Sequence, residues 1–165
     1  MKKWIALALM LLTCVNARAD TITGKVIAVT DGDTIKVLDA QNVQHKVRLA
    51  GIDAPESKQA YGTRSKKSLS DLVFGKMVTV EFSKHDRYGR VVGKVLYEKV
   101  DMDLQQVEVG LAWHYKQYAR EQSTSDRRLY AAAEDRARVA HLGLWHDANP
   151  IPPWEWRRAS RNVLQ

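Results

Sequence analysis

Five short stretches in the first hundred residues alternate between apolar and polar positions. Residues 21–29 put Ile22, Val26 and Ala28 on one face. Residues 34–38 alternate through Ile35 and Val37, and 45–52 through Val47 and Leu49. Residues 76–82 alternate through Val78, Val80 and Phe82, and 91–97 through Val91, Val95 and Tyr97. A period of two in short runs rich in β-branched residues predicts strands. Asp31-Gly32-Asp33 and Gln41-Asn42 supply turns between them. Five strands in so small a chain predict a barrel, which leaves few open edges.

Helical spacing interrupts and follows this pattern. Residues 61–74, ended by Gly75, form a predicted helix between the third and fourth strands. Residues 102–109 set Leu104, Val107 and Leu111 on one face, with Gly110 as a stop. Residues 125–142 carry Leu129, Ala132, Ala133, Ala137 and Ala140 along one stripe, have a charged opposite face and end at Gly143. Trp113 and Trp145, beside helix ends, are predicted to pack in the core. The stretch 149–156 holds three prolines and two tryptophans. It predicts neither helix nor strand interior, with the tryptophans folded back onto the body. The fold class expected is α+β.

Ahead of the first strand stand Lys2 and Lys3, an apolar run over 4–13, and Ala17-Arg18-Ala19. The run is shorter than the ~20 residues that span a bilayer. Basic head, short apolar run and small-x-small site predict a secretory signal peptide cleaved after Ala19. The expected organisation is a signal peptide at 1–19, one folded domain at 20–156 and a basic C-terminal tail at 157–165. The protein is then secreted or periplasmic, and not held by a membrane once cleaved.

Composition narrows the class. The 165 residues are 45% apolar and 27% charged, too apolar for a disordered chain and enough for one compact core. The single cysteine, Cys14, excludes an internal disulfide and departs with the signal peptide. Lys and Arg number 26 against 19 Asp and Glu, a net charge of +7; loss of Lys2, Lys3 and Arg18 leaves +4 on 146 residues. That excess suits a phosphate-rich partner and equally suits plain solubility. Five scattered histidines without a His-x-x-x-His pair give no zinc spacing.

Chemistry concentrates in three loops. Asp31-Gly32-Asp33-Thr34 is an acidic turn. Arg48-Leu49-Ala50-Gly51-Ile52-Asp53-Ala54-Pro55-Glu56 leads from a basic strand residue to two acids three apart. Asp86-Arg87-Tyr88-Gly89-Arg90 is a polar turn before the fifth strand. A barrel can gather such loops into one site. Carboxylate and carbonyl oxygens suit a hard cation such as Ca²⁺ or Mg²⁺, and arginine grips phosphate through paired hydrogen bonds.

These three motifs, in order and with this spacing, resemble the thermonuclease family, the staphylococcal nuclease homologues. The resemblance runs from about Thr21 to Trp156, and Gly143-Leu144-Trp145 with Pro-Pro-Trp-Glu-Trp-Arg resembles its secreted bacterial members. It implies a five-stranded OB-fold β-barrel with three helices. It further implies a Ca²⁺-dependent endonuclease that cuts DNA and RNA with little sequence specificity and leaves 3′-phosphate ends. By the same resemblance, Asp33, Asp53 and the backbone carbonyl at Ala54 hold the metal. Arg48 and Arg90 hold the scissile phosphate. Glu56 lies near the attacking water, as its general base or as the residue that orders water and loop. Arg87, Tyr88 and Tyr118 contact the nucleotide. A second tyrosine of that region is replaced by Lys116, with Tyr115 adjacent, and the segment after Glu56 is shorter and differently ordered than in the family. The expected enzyme is a monomer. The alternative from another class is a non-catalytic OB-fold that binds single-stranded nucleic acid.

Overall fold

The structure is a computed structural model that describes residues 20–162. The expected signal peptide, with Cys14, lies outside the described residues. Five longer strands, β1 (Asp20–Asp31), β2 (Thr34–Asp39), β3 (Gln44–Leu49), β5 (Met77–His85) and β6 (Val91–Tyr97), form one sheet. β1 pairs antiparallel with both β2 and β5, β2 with β3, and β5 with β6. β3 then pairs parallel with β6 through Val47↔Val91 and Arg48↔Val92, which closes the barrel. Its interior is filled by Val26, Ile35, Val47, Leu49, Val80 and Val95, all essentially inaccessible. Each such burial contributes about 1.5–3 kcal/mol.

Two short strand pairs and the helices complete the α+β fold. β4 (Ile52–Asp53) pairs with β8 (Trp113–His114), and β7 (Val100–Asp101) folds back antiparallel against β6. The helices are α1 (Gly62–Val73), α2 (Met102–Glu108), α3 (Thr124–Val139) and α4 (Pro153–Asn162), with 3-10 turns at Lys116–Glu121 and Gly143–His146. Four α-helices, rather than three, are thus present among the described residues.

Several differences from the sequence pattern have physical causes. The strand expected over 45–52 is two strands: β3 stops at Leu49, and Gly51 takes a left-handed φ of 71° that turns the chain into β4. In β1 the register shifts between Val26 and Ala28. Such a bulge breaks the alternation, so Ala28 does not continue the buried face of Val26. In α3 the buried residues are Tyr130, Ala133, Glu134 and Ala137, whereas Leu129, Ala132 and Ala140 are exposed. Tyr130 is the larger residue to bury, and its hydroxyl donates to Asp101 Oδ2 at 2.8 Å. In α2, Asp103 and Gln106 are buried, while Leu104, and Leu111 just beyond the helix, are only half-buried. The stretch expected to be irregular gives rise to α4. Pro153 is its first residue, where a missing N–H costs no intrahelical hydrogen bond. α4 runs through 156/157, where the sequence suggested a domain boundary. Trp113 and Trp145 are buried, their rings meeting edge-on at 4.3 Å, and Trp154 of α4 packs against Trp113 at 5.5 Å.

Candidate active site

The β1–β2 turn is the first part of the site. Gly32 is packed so closely that a Cβ there would lie 1.8 Å from Ser65 Oγ of α1, so no larger residue fits. Gln106 of α2 clamps the turn by donating from Nε2 to the carbonyls of Gly32 at 2.9 Å and Ser65 at 3.0 Å. Its Oε1 accepts from the Ser68 hydroxyl at 2.6 Å. This buried amide is satisfied on both sides, and such networks specify a single geometry. The Asp33 carbonyl accepts from Leu49 N–H at 2.8 Å. The Asp33 carboxylate is thereby directed against the β3–β4 segment, where Oδ2 accepts from Ala54 N–H at 2.8 Å.

Arg48 joins the acids. It pairs with Thr34 across β2 and β3. Its Nη2 lies 3.1 Å from Asp33 Oδ2 and 2.9 Å from Asp53 Oδ1. Nη1 donates to the carbonyls of Leu49 at 2.8 Å and Ile52 at 2.9 Å, holding the turn after β3. Burial disfavours this guanidinium's charge, but Asp33, Asp53 and Asp31 outweigh it and raise its pKa. Asp53 is 1% exposed. Desolvation raises its carboxyl above the usual range, although two arginines oppose that rise. Asp31 is pushed up to about 7 by burial and by the Asp33 charge.

Arg157 of α4 was not singled out by the sequence. Its Nη2 donates to Asp53 Oδ2 at 2.8 Å, and its Nη1 to Asp53 Oδ1 at 3.2 Å and Glu56 Oε1 at 2.8 Å. Burial opposes its charge, but Asp53 and Glu56 raise its pKa. The Glu56 loop is tied to the same C-terminal region, because Gln59 accepts from Glu56 N–H and donates to the Ile151 carbonyl. The signal for Arg157 in the sequence was its place as the last residue of the Pro-Pro-Trp-Glu-Trp-Arg stretch, to which no site role was attached.

The Asp86–Arg90 turn carries the remaining cations. Asp86 Oδ1 accepts from the N–H groups of Tyr88 at 2.9 Å and Arg90 at 3.0 Å, and Oδ2 from Arg90 Nε at 2.7 Å. Burial pushes the Asp86 pKa up, but these donors outweigh it and hold it low. The alternation that turns Val47 and Val91 inward sets Arg48 and Arg90 on the same outer side of adjoining strands. The structure therefore assembles Asp33, Asp53, Ala54, Arg48 and Glu56 around shared contacts. Arg90 stands at the neighbouring strand entrance and binds Asp86 rather than the acids. Tyr88 is 70% exposed, with the guanidiniums of Arg87 and Arg90 at 5.0 and 5.6 Å from its ring. Tyr118 is exposed beside Lys84 at 5.4 Å, and Tyr115 stacks on Trp154 at 5.4 Å.

Among the described residues, no three acid or histidine side chains converge as a complete metal cage. Asp33 and Asp53 do converge, on one guanidinium nitrogen that lies within 3.1 Å of both. Two carboxylates brought together on one cationic nitrogen supply the clustered oxygen donors that suit a hard divalent ion.

The chain matches the family model for staphylococcal nuclease homologues over residues 46–147. An uncharacterized endonuclease of Haemophilus influenzae is 44% identical over 139 residues, covering 84% of this chain and 75% of the relative. An uncharacterized endonuclease of Escherichia coli is 42% identical over 159 residues, 95% of this chain and 98% of the relative. A micrococcal nuclease of Shigella flexneri is 41% identical over 169 residues, 96% of this chain and 93% of the relative. With its closed barrel, its three motifs and these matches, the chain belongs to the staphylococcal nuclease homologue family.

Proposed function

We propose that this protein is an exported, monomeric, Ca²⁺-dependent endonuclease that hydrolyses phosphodiester bonds of DNA and RNA and leaves 3′-phosphate ends. Nuclease chemistry on nucleic acid follows from family membership. The calcium requirement is supported most by one observation: Asp33 and Asp53 meet on a single nitrogen of Arg48, with Glu56 tied to Asp53 through Arg157. The product ends are carried over from the family resemblance.

Asp33, Asp53 and the Ala54 carbonyl would hold the Ca²⁺. When bound, the ion supplies charge neutralisation at a phosphate oxygen and acidifies nearby water. Arg48 and Arg90 face charge that builds on the phosphate oxygens, the preorganised electrostatic effect that dominates many enzymes. Arginine stays protonated, so Arg90 assists the departing 5′ oxygen by hydrogen bonding rather than by proton transfer. Glu56, 39% exposed, accepts a proton from the attacking water or orders it. Backbone grip with stacking on Tyr88 and Tyr118 tolerates any base, which accounts for broad specificity. A signal peptide ending at Ala19 would export the protein.

Closed circular single-stranded DNA and a defined RNA test this reading. With Ca²⁺ present, the circle should be opened, and the fragments should resist polymerase extension until a phosphatase removes their 3′-phosphate. An intact circle degraded only after prior nicking would contradict endonuclease action, and directly extendable ends would contradict the proposed products. Binding of both substrates without cleavage would favour the nucleic-acid-binding alternative.

A further inference from the structure

Two arginines neutralise the buried acids, and they are held differently. Arg48 is 14% exposed and fixed by two carboxylates and two backbone carbonyls. Arg157 is 40% exposed and reaches in from α4, more than a hundred residues along the chain from the acids it contacts. It covers both oxygens of Asp53 and one of Glu56. A divalent cation bound through Asp53 needs oxygens that this guanidinium already occupies.

We propose that Arg157 is the resident counter-cation of the carboxylate site, and that it exchanges with the divalent metal. This inference rests on the calcium reading above and adds a residue that sets metal affinity. A carboxylate as buried as Asp53 is costly without a partner. Arg48 partners Asp53 Oδ1, and in the metal-free protein Arg157, tethered by α4, supplies the partner for Oδ2. When a metal takes Asp53, the long and half-exposed Arg157 side chain turns away into water, a route closed to Arg48. α4 need not leave, because Trp154 is stacked on Tyr115 with ring planes 14° apart and Gln59 holds the Ile151 carbonyl. The metal must compete with Arg157, so its apparent affinity is lowered by the fraction of protein in which the site is already filled.

Calorimetric Ca²⁺ titration of the parent, Arg157→Gln and Arg158→Gln tests the exchange. Arg158 is the exposed neighbour, and its variant removes the same charge without touching the acids. Arg157→Gln should bind Ca²⁺ about tenfold more tightly than the parent, the equivalent of one charge-assisted hydrogen bond no longer in competition. Arg158→Gln should bind like the parent. Melting provides a second readout: in chelator Arg157→Gln should melt below the parent, and Ca²⁺ should close that gap. Should Arg157→Gln be unfolded in chelator, Ca²⁺ should refold it. Equal or weaker Ca²⁺ affinity in Arg157→Gln overturns the exchange, as does an equal loss of melting temperature with and without Ca²⁺, or failure of Ca²⁺ to refold the variant. A parent that binds no Ca²⁺ overturns the calcium reading, and the exchange with it.

Discussion

Both terminal nitrogens of Arg48 are engaged by acids and carbonyls, whereas Arg90 is anchored to Asp86 through Nε. Arg90 is therefore the arginine better placed to meet a phosphate as charge develops on it. An interaction made mainly in the transition state lowers rate more than binding. Arg90→Ala should lose about 10²–10³ in turnover while nucleotide affinity and melting temperature stay near the parent values. Initial rates and calorimetric affinities on the same samples check this, and a parent-like rate would remove Arg90 from the mechanism. Asp31 makes a different kind of prediction. Its pKa in the folded, metal-free protein is about 7 against an ordinary 3.8. The folded state thus holds a proton that the unfolded chain has released. Stability should fall as pH rises from about 4 through about 7, because over that range the folded state binds more protons. Melting in chelator at pH 5 and pH 8 should show this slope, and Asp31→Asn should flatten it. An unchanged slope in the variant would assign it to another group.

α2 shows how buried polar residues tie elements together. Asp103 accepts from Ala50 N–H after β3 at 2.9 Å and from Val95 N–H in β6 at 3.1 Å. Burial raises its pKa well above the usual range, and Asp101 adds to that rise. Both oxygens accept N–H groups, so Asp103→Asn would turn an amide NH₂ toward one donor. Leaving that buried donor unsatisfied should cost about 1–3 kcal/mol, read from denaturant unfolding; a variant as stable as the parent would show that the Asp103 hydrogen bonds do not hold the helix to the barrel. The same helix explains where the sequence pattern ran out. Alternation marked all five barrel strands because each lines one interior. It could not show that Asp103 and Gln106 face inward, since that depends on backbone groups of the barrel that they satisfy. The stripe through Leu129 and Ala132 failed likewise, because Tyr130 buries more surface and has Asp101 for its hydroxyl.

Across the molecule, residues close in sequence were legible and convergences over long separations were not. Asp33, Asp53, Glu56 and Arg48 lie within short motifs on consecutive strands or the turns and loops that adjoin them, so their meeting follows from the barrel. Arg157 joins them across 104 residues of chain from Asp53, by docking of a helix for which a proline-rich stretch gave no periodic signal. Export is tested on its own terms: the intact mass of protein recovered outside the cytoplasm should correspond to a chain beginning at Asp20, and a retained Met1 or a lipid on Cys14 would contradict cleavage after Ala19. The measurement that bears most directly on the whole account is the initial rate of DNA cleavage in chelator, followed by return of excess Ca²⁺, for the parent and Asp33→Ala. The parent should be inactive in chelator and recover fully with Ca²⁺ but not with Zn²⁺, while folded Asp33→Ala stays inactive throughout. Full cleavage by the parent in excess chelator, or by Asp33→Ala with Ca²⁺, would contradict a calcium site built on Asp33 and Asp53.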